Sequence, residues 1–381
     1  WDASPQILGA GLGFTNILGV PGNNGSPEWQ AAVIAFGGSW EILDTSNPNP
    51  PIRAFTSAAD PQGIYDAYGN AVVGGGGMPV EFSWPVLPST VDPTDFEITL
   101  NTGLKIIPEG ASIQPNVEYN ERSTVVLVSP DFGNRTHPGE VGAVYPVAIT
   151  IIPDTSPLKL IGPNGQLVSA VGLSYSSGKP MTGYFAGPTL CAAKLSRLST
   201  MGEGGPKAFT GSYLPNDGAA LYGSKGQYRL RMLTTGGFSP DGIRSIYPTE
   251  FDSFFRIEVV DSDGSLVYLT EANKPYTLKA GSVEILGLAD LGLSQPSYDD
   301  HDNLIDIILR GDESVMRRIQ FVDVPSEPPY KPLYNPGGPG NNPTPGVIYS
   351  MPTSPIHQAV TIAIDNPMTV FYGGGILRPL Q

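Results

Sequence analysis

The 381-residue chain holds a single cysteine, Cys191, and three histidines, His137, His301 and His357. One cysteine rules out an internal disulfide, and with three scattered histidines it cannot form a structural zinc site of the Cys/His kind. Cys191 therefore reads as a small core residue. Basic side chains are also few: 21 Lys and Arg stand against 36 Asp and Glu, a formal net charge of −15 and a pI near 4.5. That balance repels phosphate backbones and anionic membrane surfaces, so nucleic acid is not expected as a partner. Long apolar runs are missing too. The longest, Ala31 to Phe36 and Val147 to Ile152, fall far short of the roughly 20 residues a spanning helix needs, so membrane insertion is not expected either. Only 15% of the chain is charged while 40% is hydrophobic, which sets it apart from disordered acidic segments.

What the chain has in plenty is glycine and proline, 47 and 39 residues. Together they make up roughly a quarter of the chain against a usual share of about 12%, which excludes a mostly helical protein. Between Gly, Pro and Asn clusters lie apolar runs of strand length. They include Pro79 to Trp84, Phe96 to Leu100, Thr124 to Val128, Val144 to Ile152, Tyr228 to Met232, Phe255 to Val260, Leu266 to Leu269, Ser282 to Leu286, Leu304 to Leu309 and Ile319 to Val322. In Phe96-Glu-Ile-Thr-Leu100 the alternation is strict, which places Phe96, Ile98 and Leu100 on a buried face and Glu97 and Thr99 on a wet one. Three short segments read as helical: Pro27 to Phe36, Thr189 to Leu198 and Glu313 to Arg317.

The strand pattern recurs in the same order. Residues 79–153 run strand, Pro-rich link, Phe96-Glu-Ile-Thr-Leu, turn at Thr102-Gly103, long excursion, Thr124 to Val128, and a last strand closed by Pro153. Residues 227–325 run strand, Gly/Pro-rich link, Phe255-Arg-Ile-Glu-Val, turn at Asp263-Gly264, long excursion, Leu304 to Leu309, and a last strand closed by Pro325. The expected fold is all-β: two antiparallel β-sandwich-like modules, a duplicated arrangement with long Pro/Gly-rich loops and few short helices. The first module resembles an immunoglobulin-like pattern, although it lacks that fold's Cys, Trp, Cys signature. The expected division is a loop-rich segment 1–78 packed on a first module 79–160, a connecting region 161–226 with one short helix, a second module 227–325, and a Pro-rich arm with final strands over 326–381.

Most catalytic motifs in the chain are matches in letters only. Gly9-Ala-Gly-Leu-Gly13 lacks the strand, helix and final spacing of a dinucleotide loop, and Ser176-Ser-Gly-Lys179 sits in a turn rather than on a helix. Asp131-Phe-Gly133 has no kinase companions, and Gly172-Leu-Ser-Tyr-Ser176 misses the nucleophile-elbow pattern at its last position. The surviving candidate is Asp299-Asp-His-Asp-Asn303, ahead of the strand at Leu304. Three carboxylates and an amide in five residues repel one another unless a cation screens them, and an oxygen-rich set suits Ca²⁺, with Asp299, Asp300, Asp302 and Asn303 as ligands. Asp261-Ser-Asp-Gly264 reads first as a hairpin turn with Gly264 at positive φ. Convergence of His137, His301 and His357 would give a transition-metal site, but nothing in their spacing requires it. Trp1, Trp29, Trp40 and Trp84 would stack on sugar rings if exposed, although core packing is the commoner fate of such side chains.

Low charge, abundant Gly and Pro, and a first residue Trp1 with no charged leader point to a processed chain outside the cytoplasm: extracellular, on the cell surface or periplasmic. The expected role is binding or structural, toward a glycan or a surface protein, with calcium as a stabilising ion. The alternative is an extracellular carbohydrate-active enzyme using paired carboxylates, with Glu118 and Glu121, or Asp300 and Asp306, as acid and base.

Overall fold

A computed structural model describes residues 4–23, 26–38, 40, 43–45, 52–54, 56, 58–113, 123–162, 165–178, 180–181, 190–198, 217–234, 238, 246–289, 304–331, 355–365, 369–372 and 376–379. It is mostly β among the described residues, with 42% strand, 16% helix and antiparallel sheets. Among the described residues no helix is long and apolar enough to cross a membrane.

The first half contains β1 (Ile7–Ala10), β2 (Phe14–Leu18), β3 (Leu43–Thr45), β4 (Ile52–Ala54), β5 (Gly75–Phe82), β6 (Phe96–Leu100), β7 (Lys105–Ile106), β8 (Gly110–Ser112), β9 (Thr124–Ser129), β10 (Pro146–Ile151), β11 (Lys159–Ile161), β12 (Leu167–Ser169) and β13 (Ser174–Tyr175). One sheet runs β1-β5-β9-β8, with β2 also on β5, and a second runs β13-β10-β6-β7; β3 pairs β4 and β11 pairs β12. Met78, Val80 and Phe82 of β5 share one core with Phe96, Ile98 and Leu100 of β6, Val125 and Leu127 of β9, and Ile149 and Ile151 of β10. In β6 the alternation acts as expected: its three apolar residues are buried while Glu97 and Thr99 are only partly so. Each such side chain contributes about 1.5–3 kcal/mol by leaving water.

Two helices lie over this half. α1 (Pro27–Ala35) starts where Ser26 Oγ accepts a hydrogen bond from Trp29 N at 3.1 Å and Pro27 presets the first helical φ. α2 (Pro61–Tyr68) is capped by Asp60, whose carboxylate accepts from Gly63 N at 2.7 Å, and ends at Gly69 in the left-handed region. α2 was not expected from its mixed sequence.

The second half contains β14 (Leu190–Arg197), β15 (Tyr228–Thr234), β16 (Arg256–Val260), β17 (Leu266–Leu269), β18 (Pro275–Leu278), β19 (Gly281–Ala289), β20 (Leu304–Gly311), β21 (Ile319–Val324) and β22 (Ile356–Ile362); the hairpin β23 (Thr369–Tyr372) and β24 (Ile376–Pro379) follows. Thr189 to Leu198, expected as a helix, is corrected: residues 190–197 form β14, antiparallel to β15 and parallel to β22. Leu-Cys-Ala-Ala-Lys-Leu is locally helix-compatible, but ladder partners on both sides override a propensity worth only tenths of a kcal/mol per residue. The parallel β14/β22 pair joins the two strand groups into one nine-stranded sheet, β17-β16-β21-β22-β14-β15-β20-β19-β18, which is nearly barrel-shaped around a large core, with a small second cluster of Leu286, Ala289 and Ile308.

The two halves share a pairing scheme. β5 pairs β9 while β6 pairs β7 and β10; correspondingly β15 pairs β20 while β16 pairs β17 and β21. β9 also pairs β8, as β20 pairs β19.

Candidate functional site

Several expected site residues lie outside the described residues: Asp299, Asp300, Asp302 and Asn303, as well as Glu118, Glu121, His301 and Trp1. The others can be placed. Asp306, expected as one of a catalytic pair, is fully buried on β20, where Arg231 clamps it with Nε to Oδ1 and Nη2 to Oδ2 both at 2.8 Å. That bidentate clamp ties β20 to β15. Asp261 to Gly264 is the turn between β16 and β17, with Gly264 at φ +84°. Burial pushes the Asp261 carboxyl up, but backbone N–H donors from Lys279, Ser262 and Ala280 outweigh it and hold the group below its ordinary range. Trp29 and Trp84 are buried, and Trp29 donates its indole N–H to Val20 O at 3.0 Å while meeting Trp40 edge to face. These tryptophans pack the core, and none of the three is a free stacking platform.

His137 stands in the turn before β10 with Nδ1 2.8 Å from Pro138 O. His357, on β22, belongs to a different constellation. Register places Arg256 of β16 opposite Asp323 of β21, and Asp323 opposite His357, so three polar side chains form a straight row across three strands. Their sequence neighbours Ile257, Val322 and Val324 point into the core, which leaves the row on the outer face by the period of two. Glu258 shares its strand with Arg256, and on the strand pairs it faces Phe321 and Tyr268.

Asp323 is the hub and is 1% exposed. Its Oδ2 accepts from Arg256 Nε at 2.7 Å, and its Oδ1 lies 2.6 Å from His357 Nδ1. Glu258 Oε1 is 3.8 Å from the same nitrogen. Among the described residues, Glu258, Asp323 and His357 form the one group of three potential metal-binding side chains whose ligand atoms lie within 4.8 Å of one another. Aromatic rings hold the rim. His357 stacks on Phe321 at 3.8 Å between centroids and 20° between planes, and the Arg256 guanidinium sits 4.5 Å above the Tyr268 ring.

The electrostatics follow from crowding two acids in one buried spot. Burial, then a hydrogen bond shared with Asp323 and the Asp323 charge, push the Glu258 carboxyl up, while His357 and Arg256 pull it partway back. Burial pulls the Arg256 guanidinium down, but the Asp323 hydrogen bond and charge raise it overall. Burial also raises the Tyr330 hydroxyl, whose segment is tied down by Lys331 N donating to Ser253 O at 2.8 Å.

Two kinds of chemistry are open to this arrangement. It fastens β22 to β21 and β16 through charge-assisted hydrogen bonds, and it presents one imidazole nitrogen and two carboxylates to a common point. The sequence reading missed Glu258 and Asp323. Their signal was present as charges at alternate positions of apolar strands, in Phe255-Arg-Ile-Glu-Val and Phe321-Val-Asp323, which marks a polar outer face without naming its partners. No protein-family profile, no curated protein and no solved structure matches this chain.

Proposed function

We propose that the chain is a binding or structural protein of the extracellular space, cell surface or periplasm, built from two immunoglobulin-like β-sandwich modules that meet a glycan or a protein partner. The observation that carries the reading is the repeated pairing: β5 with β9 and β6 with β10, in two sheets, as β15 with β20 and β16 with β21, in one. On this reading β1, β2 and β13 complete the first module, and β14 and β22 close the second. Such sandwiches are rigid scaffolds that display loops at their ends, and loops so displayed carry recognition. The buried acids support the same view. Thr124 donates to Glu81 at 2.5 Å, Asp95 accepts from Leu158 N at 2.8 Å, and Asp306 is clamped by Arg231, so these carboxylates are engaged in holding the fold.

Calcium at Asp299, Asp300, Asp302 and Asn303 is the ion this reading expects in the segment entering β20. A ligand that binds only the native state at 100 times its Kd stabilises it by about 2.7 kcal/mol. The intact chain should therefore melt a few degrees higher in Ca²⁺ than in Mg²⁺ or chelator at matched ionic strength, and Asp302→Ala should abolish the difference. Equal melting in all three buffers removes calcium from the proposal. The binding role itself is tested by a thermal-shift screen of the intact chain against a glycan panel, alongside a reducing-sugar assay on the same glycans. A shift without sugar release is expected, whereas sugar release at catalytic turnover would replace the proposal with the hydrolase reading.

A further inference from the structure

We infer that Glu258, Asp323 and His357 form a binding site for a first-row divalent transition metal of the zinc class. The donor set decides the class. Imidazole nitrogen with two carboxylates suits Zn²⁺ and its neighbours; Ca²⁺ and Mg²⁺ select oxygen ligands, and Cu⁺ selects sulfur, which this group lacks. The donors come from three adjacent hydrogen-bonded strands, so the ladder holds their spacing before any ion arrives.

Two of the three ligands are also oriented by a second contact. Arg256 holds Oδ2 of Asp323, which leaves Oδ1 turned to the common point, and Phe321 stacks on the His357 ring and sets its plane. Glu258 and Asp323 form the buried floor, while the His357 side chain is 44% exposed, so the point is reached from solvent on the imidazole side. Two carboxyl groups stand against the one Arg256 guanidinium, and a bound dication would take both in their deprotonated form.

The spacing is near that of a metal site. Metal bonds of about 2.0–2.1 Å in a tetrahedron separate the donors by about 3.3 Å. His357 Nδ1 and Asp323 Oδ1 are 2.6 Å apart, a hydrogen-bond distance, and Nδ1 and Glu258 Oε1 are 3.8 Å apart. Placing a metal among these atoms asks for a shift of under about 1 Å, which the exposed imidazole can make. Three protein ligands leave a position for water, the pattern of an open rather than a closed zinc site.

The test uses the intact chain after chelator treatment. Calorimetry should show one Zn²⁺ bound per chain at this site, with Mg²⁺ and Ca²⁺ binding there at least tenfold more weakly. His357→Gln and the near-isosteric Glu258→Gln should each weaken zinc binding at least tenfold, while His137→Gln and His301→Gln should leave it unchanged. Anomalous scattering at the zinc edge should place the ion beside His357. Absence of zinc binding, zinc binding undiminished in both the His357 and Glu258 variants, or loss of binding in His301→Gln instead would overturn the inference.

Discussion

Asp306 offers the sharpest test of how the second half is held together. It lies directly opposite Arg231 across the β15/β20 pair, with two 2.8 Å hydrogen bonds between guanidinium and carboxylate, and Arg229 Nη1 is 3.9 Å away on the same face. Asp306 and Arg229 are fully buried and Arg231 is 5% exposed, so water can replace little of what the carboxylate supplies. Removing one member of such a pair leaves buried positive charge and costs about 3–5 kcal/mol. With a urea m-value of about 2 kcal/mol per M, Asp306→Leu should lower the unfolding midpoint by about 1.5–2.5 M. The cost belongs to the stranded charge rather than to the pair itself. The triple variant Arg229→Met, Arg231→Met, Asp306→Leu removes all three of these charges together, and it should be less destabilised than Asp306→Leu alone. Urea unfolding followed by tryptophan-independent far-UV circular dichroism reads both. If Asp306→Leu alone costs less than about 1 kcal/mol, that face is hydrated and the argument from burial fails.

Two further outcomes follow from single residues. Asp95 is fully buried, and burial lifts its carboxyl to about 6, against a partial lowering by the backbone N–H groups of Asp92 and Leu158 and a further rise from the Asp154 and Asp92 charges. The native state thus keeps a proton that the unfolded chain releases near its ordinary 3.8, so stability is greatest below that pH, falls as pH rises through about 6, and then levels off. The drop amounts to at most about 3 kcal/mol, and the difference between parent and Asp95→Asn stability should trace it between pH 4 and 7; a difference of opposite slope would refute the assignment. Gly19 sits at φ +75°, and a Cβ there would lie 1.6 Å from the carbonyl oxygen of Val72, a backbone atom that cannot swing aside. Gly19→Ala should therefore cost more than about 1 kcal/mol in the same urea assay, while Ala at Gly264, also at positive φ but with open space around it, should cost less than at Gly19.

How much of this was legible in the chain depends on the distance over which each feature is decided. The buried set Phe96, Ile98 and Leu100, and the Asp261 to Gly264 turn, are written in local alternation and turn chemistry. Side chains on a strand alternate with a period of two whatever the partner, and a glycine at φ +84° needs only its own lack of a Cβ. β14 shows the opposite case. Its residues tolerate a helix, and strands 30 or more positions away in sequence make it a ladder. The Arg256, Asp323 and His357 row was likewise beyond a linear reading. Its two hydrogen bonds join residues 67 and 34 positions apart, and only register decides that they meet. A slip of one residue in β21 would turn Asp323 to the other face and dissolve the cluster, while changing nothing in the composition or local pattern of the strand. Local sequence therefore determined which faces are apolar and where the chain turns, and long-range pairing decided which polar residues on the outer face came to share a point in space.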